Sequence, residues 1–429
     1  MKKTSAKIIS GVLVVIILLL CSCNKDYGID EDLTANEGRL EVVGIRRALH
    51  FSEAVRVGND MYFHCGNSND YDGGRIQRLV LSDYGTESFE INIACFDPTC
   101  NHTDSVAATC CANSVYYRVN GQFPDELKNN RQYWYKSKLQ GLVADGTADN
   151  PNIILWTGQS LYVSNPFENK KILLDDGSNE QPIDITSPLL YDGYIYYYKA
   201  IESVGAQWRV AVSGGNPERV FEQDNIKIND IIDGKYYVSG LTVTGTRGYS
   251  RVNPDLTEAE NLPDYWKTAL PFYFDEQFGY IAVQDKIYKF DKNNISAEPE
   301  LLLSIRENTS ESSRIISLCN ASSLHYILLD DLKQQSYTSY SGVDEKYQEY
   351  GIITYGTYDV STGEHKKIDL KTEYLLNVND LLYADGDYIY LKCANKYAVE
   401  INMTSEQKAS VGLTLCRITL EEMKYEYIN

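Results

Sequence analysis

Five residues in one short segment are the strongest candidates for chemistry in this sequence. Cys95, Cys100, Cys110 and Cys111 fall within 17 residues, and His102 lies among them. Three thiolates and one imidazole can form a tetrahedral structural zinc site, for which Cys95, Cys100, His102 and Cys110 would be the ligands. The usual zinc pattern has two residues between paired cysteines, so this spacing weakens the metal interpretation.

A disulfide is the second interpretation of the same cysteines. In this interpretation Cys95 pairs with Cys100 or Cys110. An exported protein can form disulfides, and a crosslink stabilises a segment that has no core of its own. Free thiols with a redox role are the third interpretation. No lysine or arginine lies between Cys95 and Cys111, which leaves His102 to lower a thiol pKa. Export favours the disulfide over the metal, and in both cases the role is structural.

The sequence lacks the common catalytic motifs. It contains no Gly-x-Ser-x-Gly nucleophile elbow, no His-Glu-x-x-His zinc motif, no phosphate-binding P-loop and no Gly-x-Gly-x-x-Gly. His64 and His325 fall in predicted strands and are interpreted as structural, whereas His365 follows a predicted turn and should be solvated. Carboxylates are abundant, but no pair is singled out for glycoside hydrolysis.

The N-terminus has the pattern of an export signal. Three lysines precede an apolar stretch at 8–20, which is shorter than the ~20 residues that span a bilayer. The sequence Leu-Cys-Ser-Cys then resembles a bacterial lipobox that ends at Cys23. We therefore expect a lipoprotein signal peptide at 1–22, acyl chains such as palmitate on Cys23, and an acidic tether at 23–38. The protein should lie on the extracytoplasmic face of the cell membrane. An ordinary signal peptide or an uncleaved anchor is the alternative.

Composition excludes several classes of protein. Lys and Arg number 40 against 60 Asp and Glu, for a formal net charge of −20. Nucleic acid is excluded as a partner, because its phosphates must be neutralised by cationic side chains. Hydrophobic residues make up 43% of the chain, which is enough for a sizeable core and excludes a disordered protein. The negative charge favours basic peptides, cations or cationic surfaces as partners.

A short aromatic strand, often preceded by Asp-Gly, recurs along the chain. In the middle of the chain, successive copies lie 41 to 45 residues apart, and a strand-turn-strand hairpin follows each. The copies are at 59–63, 192–197, 233–238, 278–283, 324–328 and 385–390. This period is typical of four-stranded propeller blades. The sequence therefore predicts an all-β fold, a single β-propeller of about seven four-stranded blades over 39–429, with six to eight allowed. A β-solenoid or tandem β-sandwiches would be the alternatives.

Two intervals between repeats are too long for a regular blade. One covers about 94–148 and includes the cysteines, and the other covers 331–351. Long excursions from a regular scaffold often carry function. The second contains Tyr337, Tyr340, Tyr347 and Tyr350, which could bind a peptide or stack on sugars. At the other end, the 40–50 stretch could complete the last blade.

Together these features resemble the lipoprotein-receptor-like propeller domains of unknown function found in lipoproteins of clostridia and related bacteria. The lipobox at Cys23, the repeated Asp-Gly-aromatic strand and the Cys-x4-Cys-x-His element from Cys95 to His102 carry the resemblance, which covers the chain from residue 40 onward. The Tyr-Trp-Thr-Asp repeat of the animal receptors is absent, so their calcium-linked functions do not carry over. The family implies no established reaction.

The sequence favours a membrane-anchored, non-catalytic binding or scaffold propeller for a protein, peptide or glycan. The alternative is an exported carbohydrate-active hydrolase or lyase that uses carboxylates at the propeller mouth. A metal-handling protein that uses the Cys/His segment is a third hypothesis. Carboxylates that converge with a His or Arg in one central cleft would favour the enzyme, and scattered acids would favour binding.

Overall fold

The structure is a computed structural model that describes most of the chain from residue 48 onward. The described residues are 48–51, 54–65, 75–80, 91–93, 139–147, 150–158, 160–165, 170–176, 184–201, 204–243, 246–263, 266, 273–274, 277–306, 314–320, 324–338, 345–370, 381–384, 388–394, 413–419 and 424–428. These residues form 29 strands in seven antiparallel sheets. Within these ranges, no helix is long and apolar enough to cross a membrane.

Each sheet contains four consecutive strands, numbered here in chain order, and is one blade. Blade 1 comprises β2 (Ala54–Val57), β3 (Asp60–Cys65), β4 (Arg75–Val80) and β5 (Ile91–Ile93). Blade 2 comprises β6 (Leu139–Thr147), β7 (Asn150–Thr157), β8 (Ser160–Asn165) and β9 (Lys170–Asp176). Blade 3 comprises β10 (Asp184–Tyr191), β11 (Tyr194–Ile201), β12 (Val204–Ala211) and β13 (Glu218–Arg219), and β1 (Leu49–His50) adds a fifth strand to it.

The remaining four blades follow the same pattern. Blade 4 comprises β14 (Lys227–Ile232), β15 (Lys235–Val243), β16 (Thr246–Val252) and β17 (Glu260–Asn261). Blade 5 comprises β18 (Tyr273–Phe274), β19 (Phe278–Val283), β20 (Lys286–Asp291) and β21 (Glu300–Ser304). Blade 6 comprises β22 (Arg314–Asn320), β23 (Leu324–Thr338), β24 (Glu345–Tyr358) and β25 (His365–Leu370). Blade 7 comprises β26 (Leu381–Ala384), β27 (Tyr388–Ala394), β28 (Leu413–Thr419) and β29 (Lys424–Ile428).

The blades form a closed ring, and the first strand of each sheet is the innermost strand of its blade. First strands of neighbouring blades lie in contact, as β2 does with β6, β10 with β14 and β18 with β22. β2 also contacts β26, so blade 7 adjoins blade 1. A closed ring of small sheets removes free ends, which is the arrangement of a β-propeller. The predicted all-β propeller of about seven blades is confirmed.

The core lies between blades, which explains why the repeated strands are continuously apolar. Ile195 and Tyr197 pack in the cluster between blades 2 and 3, whereas the intervening Tyr196 packs between blades 3 and 4. Alternate side chains of a strand point to opposite faces of its sheet. Because a neighbouring blade covers each face, both sets of side chains must be apolar or aromatic.

The recurring Asp-Gly is a hairpin turn between the first and second strands of a blade. Asp192 and Gly193 have φ angles of 54° and 73°, and Asp233 and Gly234 have φ angles of 49° and 76°. Two-residue turns with positive φ at both central residues match the twist of the flanking strands, and Asp-Gly is a preferred sequence for them. The Asp-Gly that recurs in the sequence therefore forms the turn between the first two strands of a blade.

Glycine is required where a tyrosine lies across the sheet. Gly356 on β24 is paired with Tyr326 on β23, and a Cβ at position 356 would overlap the Tyr326 ring. We expect Gly356→Ala to lower the free energy of unfolding by about 1–3 kcal/mol, because the fully packed ring must shift. Urea unfolding of the full chain measures this. Gly248→Ala is the control, since a Cβ there meets nothing within 4 Å. Equal losses in the two variants would contradict the explanation.

Two details differ from the sequence-based expectations. The excursion expected over about 94–148 ends earlier, because Leu139–Thr147 pairs with β7 as the first strand of blade 2. The end of the 40–50 stretch was expected to complete the last blade. Instead, Leu49 and His50 pair with Leu190 and Leu189 of blade 3, and blade 7 has four strands of its own.

Candidate functional site

The candidate metal-ligand, disulfide and lipid-anchor residues lie outside the described residues. This applies to Cys95, Cys100, His102, Cys110 and Cys111, and also to Cys23. In the part of the chain that the structure describes, no group of three or more His, Cys, Asp and Glu side chains is placed to hold a metal ion. The disulfide and zinc interpretations therefore both stay predictions. Metal content and free thiols of the purified protein distinguish them.

Strand directions divide the connections of the propeller between two faces of the ring. Within a blade, the turns that join strands one to two and three to four lie at one end, which we call the near face. The turns that join strands two to three, and the connections between blades, lie at the other end, which we call the far face. Two equivalent backbone hydrogen bonds link neighbouring blades there, from Ile185 N–H to the Gly158 carbonyl (2.9 Å) and from Ile315 N–H to the Gln284 carbonyl (2.7 Å).

The connections on the far face differ sharply between the two sides of the ring. In blades 2 to 5 the second and third strands are joined by only two residues each, at 158–159, 202–203, 244–245 and 284–285. Longer connections occur in blades 6, 7 and 1, which are consecutive because the ring closes between blades 7 and 1. These three connections, 330–352, 395–412 and 66–74, together with the connection from blade 1 to blade 2 at 94–138, are called the elaborated arc. The longest connection on the near face is 81–90.

The elaborated arc includes a hairpin arm that rises from blade 6. β23 and β24 pair from Leu324 and Tyr358 as far as Thr338 and Glu345. The neighbouring strand β22 begins at Arg314, which pairs with Leu329, and β25 ends at Leu370, which pairs with Ile353. Residues 330–338 and 345–352 thus extend as a two-stranded ribbon, by about 25 Å at 3.3 Å per residue. The predicted 331–351 insertion is this arm, and Tyr337, Tyr347 and Tyr350 are on its strands.

The described N-terminal segment runs along the axis of the ring. β1 lies on the inner edge of β10, and the Ala48 N–H donates to the Ile231 carbonyl of blade 4 at 2.8 Å. Phe51 contacts Trp156 of blade 2, with ring centroids 6.4 Å apart. The chain then enters blade 1 at β2. Because β1 is antiparallel to β10 and pairs near its C-terminal end, the segment from Ala48 to Phe51 runs from the near face towards the far face.

A carboxylate and an imidazole meet at this axis. Asp230 of β14 is completely buried, and its Oδ1 accepts the Ile231 N–H at 2.8 Å. The His50 Nε2 lies 3.4 Å from the Asp230 Oδ2, and the imidazole is 41% exposed. Glycoside hydrolysis needs two carboxylates on either side of the scissile bond. At this point the described residues bring one carboxylate to one histidine, which is not the arrangement that the enzyme alternative requires.

The other prominent polar groups join neighbouring blades. Tyr197 Oη donates to the Asp175 carboxylate of blade 2 at 2.5 Å, and Lys199 forms an ion pair with the same carboxylate. The Lys199 ammonium also lies 5.1 Å from the centre of the Trp208 ring. Burial, the bond to Asp175 and its charge raise the pKa of Tyr197, so it stays protonated at all ordinary pH values. This group connects blades 2 and 3.

Two histidines of blade 6 are bonded to tyrosines. His325 is buried, and its Nδ1 lies 2.8 Å from Tyr355 Oη. Burial lowers the pKa of His325 to about 4, so the ring is neutral at pH 7, in agreement with the structural interpretation. His365 was expected to be solvated, and this was wrong. It is half-buried, and its Nε2 lies 2.5 Å from Tyr326 Oη.

No protein-family model matches the chain, and no curated protein matches it. Solved structures do. A puromycin-hydrolyzing peptidase of Mycobacterium tuberculosis is similar with a TM-score of 0.50 and 11% identity, over 88% of this chain and 53% of that chain. The chain is a β-propeller. At this identity the likeness shows the fold alone, and the propeller spans about half the length of the peptidase.

Two further solved structures are similar at lower TM-scores. Sqt1 of Saccharomyces cerevisiae is 8% identical over 91% of this chain and 88% of that chain, with a TM-score of 0.40. The WD40 domain of SCAP from fission yeast is 9% identical over 93% of this chain and 89% of that chain, with a TM-score of 0.35. At these TM-scores the likeness carries no information about partners.

Proposed function

We propose that the protein is an extracytoplasmic lipoprotein whose propeller binds another protein or peptide without catalysing a reaction. The observation that supports this best is the one-sided distribution of the three longest connections, 94–138, 330–352 and 395–412, which all begin in the consecutive blades 6, 7 and 1 on the far face. Rigid scaffolds commonly present binding residues on such loops. A ring held together by its inter-blade cores is a stable support for them.

The path of the N-terminal segment gives this binding surface an orientation. Lipid on Cys23 would fix the chain to the membrane, and residues 24–47 could span at most about 80 Å when fully extended. Ala48, the first described residue after them, lies at the near-face end of β1, next to the axis. The near face would therefore be turned to the membrane, and the elaborated arc would face away from it, where a partner can approach.

The composition of the arm favours a protein or peptide over a polyanion. Between 330 and 350 it contains four tyrosines, five acidic residues and two lysines. Tyrosine supplies a large amphipathic contact area at low cost in conformational entropy, as in antibody-binding loops. The excess of acids here and in the whole chain favours a partner surface that is neutral or basic.

Site-specific photo-crosslinking in cells tests this function. We expect a benzophenone amino acid at Tyr347 on the arm to give a discrete crosslinked protein, because the arm extends beyond the blade. The matched control carries the probe at Thr362, an exposed position on the near face of the same blade. Identical products from the two positions would contradict the proposal.

A shortened variant provides a second control. Replacing residues 330–352 with Asn-Gly leaves the paired residues Leu329 and Ile353 on either side of a two-residue turn, as in blades 2 to 5. We expect this variant to fold and to lose the partner. A shortened propeller that still co-purifies with the crosslinked protein would show that the arm is not needed.

A further inference from the structure

The inner edge of blade 3 carries a strand that the other blades lack in the described part of the chain. Six sheets have four strands, and in the seventh β1 pairs with the first strand, β10, on the side that faces the axis. This strand is not continuous with the blade in sequence, since Leu49 pairs with Leu190 and His50 with Leu189. An exposed strand edge is a template for a further extended segment, and here the chain fills that template itself.

The contacts of this segment have the features of a short bound peptide. Only two residues pair with β10, and the Ala48 N–H adds one hydrogen bond to blade 4. Leu49 and Phe51 pack on the core between blades 2 and 3, whereas Ala48 belongs to the core between blades 3 and 4. Backbone pairing with alternate side chains in neighbouring pockets is how peptides bind by strand addition.

Asp230 determines which side chain suits the position opposite Leu189. Its carboxylate is completely buried, and a buried carboxylate is costly unless it is paired and hydrogen-bonded. The side chain at position 50 reaches it, with 3.4 Å between the His50 Nε2 and the Asp230 Oδ2. A lysine, an arginine or a protonated histidine is therefore suitable there, and a glutamate is not.

We propose that residues 48–51 are a displaceable internal ligand, and that the edge of β10 with Asp230 is a binding site for an extended peptide with a cationic side chain opposite Leu189. The site is at the axis, away from the elaborated arc, so it does not depend on the function proposed above. A peptide that enters here would release the segment that leads to the tether from the ring.

Hydrogen exchange of the intact wild-type chain is the first test. Displacement requires that the Ala48 amide becomes exposed by local opening, without unfolding of blade 3. We expect this amide to exchange at least about tenfold faster than amides in the middle of the β10–β11 pairing, because local openings cost less than global unfolding. Exchange of the Ala48 amide only at the global rate would overturn the proposal.

Peptide binding to the full chain is the second test. The probe is a fluorescent peptide of residues 44–53, and its control has glutamate in place of His50 while keeping both arginines. We expect Leu49→Pro, which disrupts β1, to bind the probe at least about tenfold more tightly than the wild type does. In the wild type, residues 48–51 compete with the probe at an effective concentration near millimolar. If Leu49→Pro does not fold, His50→Ala takes its place.

Two carboxylate variants complete the experiment in the same background. Asp230→Asn should weaken binding of the probe at least about tenfold, whereas Asp233→Asn, in the exposed turn after the same strand, should leave it unchanged. Equal affinity for the probe and its glutamate control would overturn the proposal. The absence of saturable probe binding by a folded variant would also overturn it. The titration extends to a probe concentration of about 1 mM, which is near the effective concentration of the internal segment.

Discussion

Cys23→Ala should abolish incorporation of labelled palmitate into the protein and should move it from the detergent phase to the aqueous phase. Each buried methylene of an acyl chain contributes about 0.8 kcal/mol to membrane binding, so several chains on Cys23 would be the dominant attachment to the membrane. The apolar stretch at 8–20 is shorter than a bilayer span. We therefore expect the loss of label to be complete and the loss of membrane association to be large.

Cys21→Ala is the matched control, because this cysteine lies two residues away in the same motif and is preceded by the bulky Leu20. It should incorporate label like the wild type. Loss of label in Cys21→Ala with retention in Cys23→Ala would show that the lipid is attached to Cys21 and would contradict the assignment to Cys23. A wild-type chain without label would contradict the lipoprotein assignment altogether.

The blade architecture could be predicted because its determinants are local. An Asp-Gly turn such as Asp192-Gly193 specifies a tight hairpin by its backbone preferences alone. The aromatic run after it specifies a strand buried on both faces. A unit that repeats every 41 to 45 residues then leaves few architectures available. None of these signals depends on contacts that are distant in sequence.

The position of β1 could not be predicted, because its partners are distant in sequence. Leu49 pairs with a residue about 140 positions later, and a two-residue strand has no periodicity of its own. The meeting of His50 with Asp230 follows from that pairing. His365 was misjudged for a related reason, since Tyr326 reaches it across the neighbouring strand.

The elaborated arc was only partly foreseen. Its two longest members, around 94–138 and 331–351, stand out as irregular intervals between repeats. Their presence on one face depends on strand direction within each blade, and the adjacency of blades 6, 7 and 1 depends on contact between β2 and β26. The sequence period alone gives neither relation.

Acidification should destabilise the propeller through His325. Its pKa is about 4 in the folded chain and 6.5 as the ordinary value. Between these pH values the unfolded chain binds the proton more tightly, so stability is fully present above pH 6.5 and falls as the pH falls towards 4. From pH 7.5 to 4.5 this histidine alone should remove about 2–3 kcal/mol from the free energy of unfolding. Urea titrations followed by tryptophan fluorescence measure that loss.

Two variants separate this effect from the protonation of other groups. His325→Asn removes the titrating ring and keeps a polar atom for the Tyr355 hydroxyl, which lies 2.8 Å from the His325 Nδ1. We expect its stability to fall about 2–3 kcal/mol less than that of the wild type over the same pH range. Tyr355→Phe removes the hydrogen bond but leaves the ring buried. Because burial is what lowers the His325 pKa, this variant should keep the acid sensitivity. Parallel pH profiles for the wild type and His325→Asn would show that the acid response arises elsewhere.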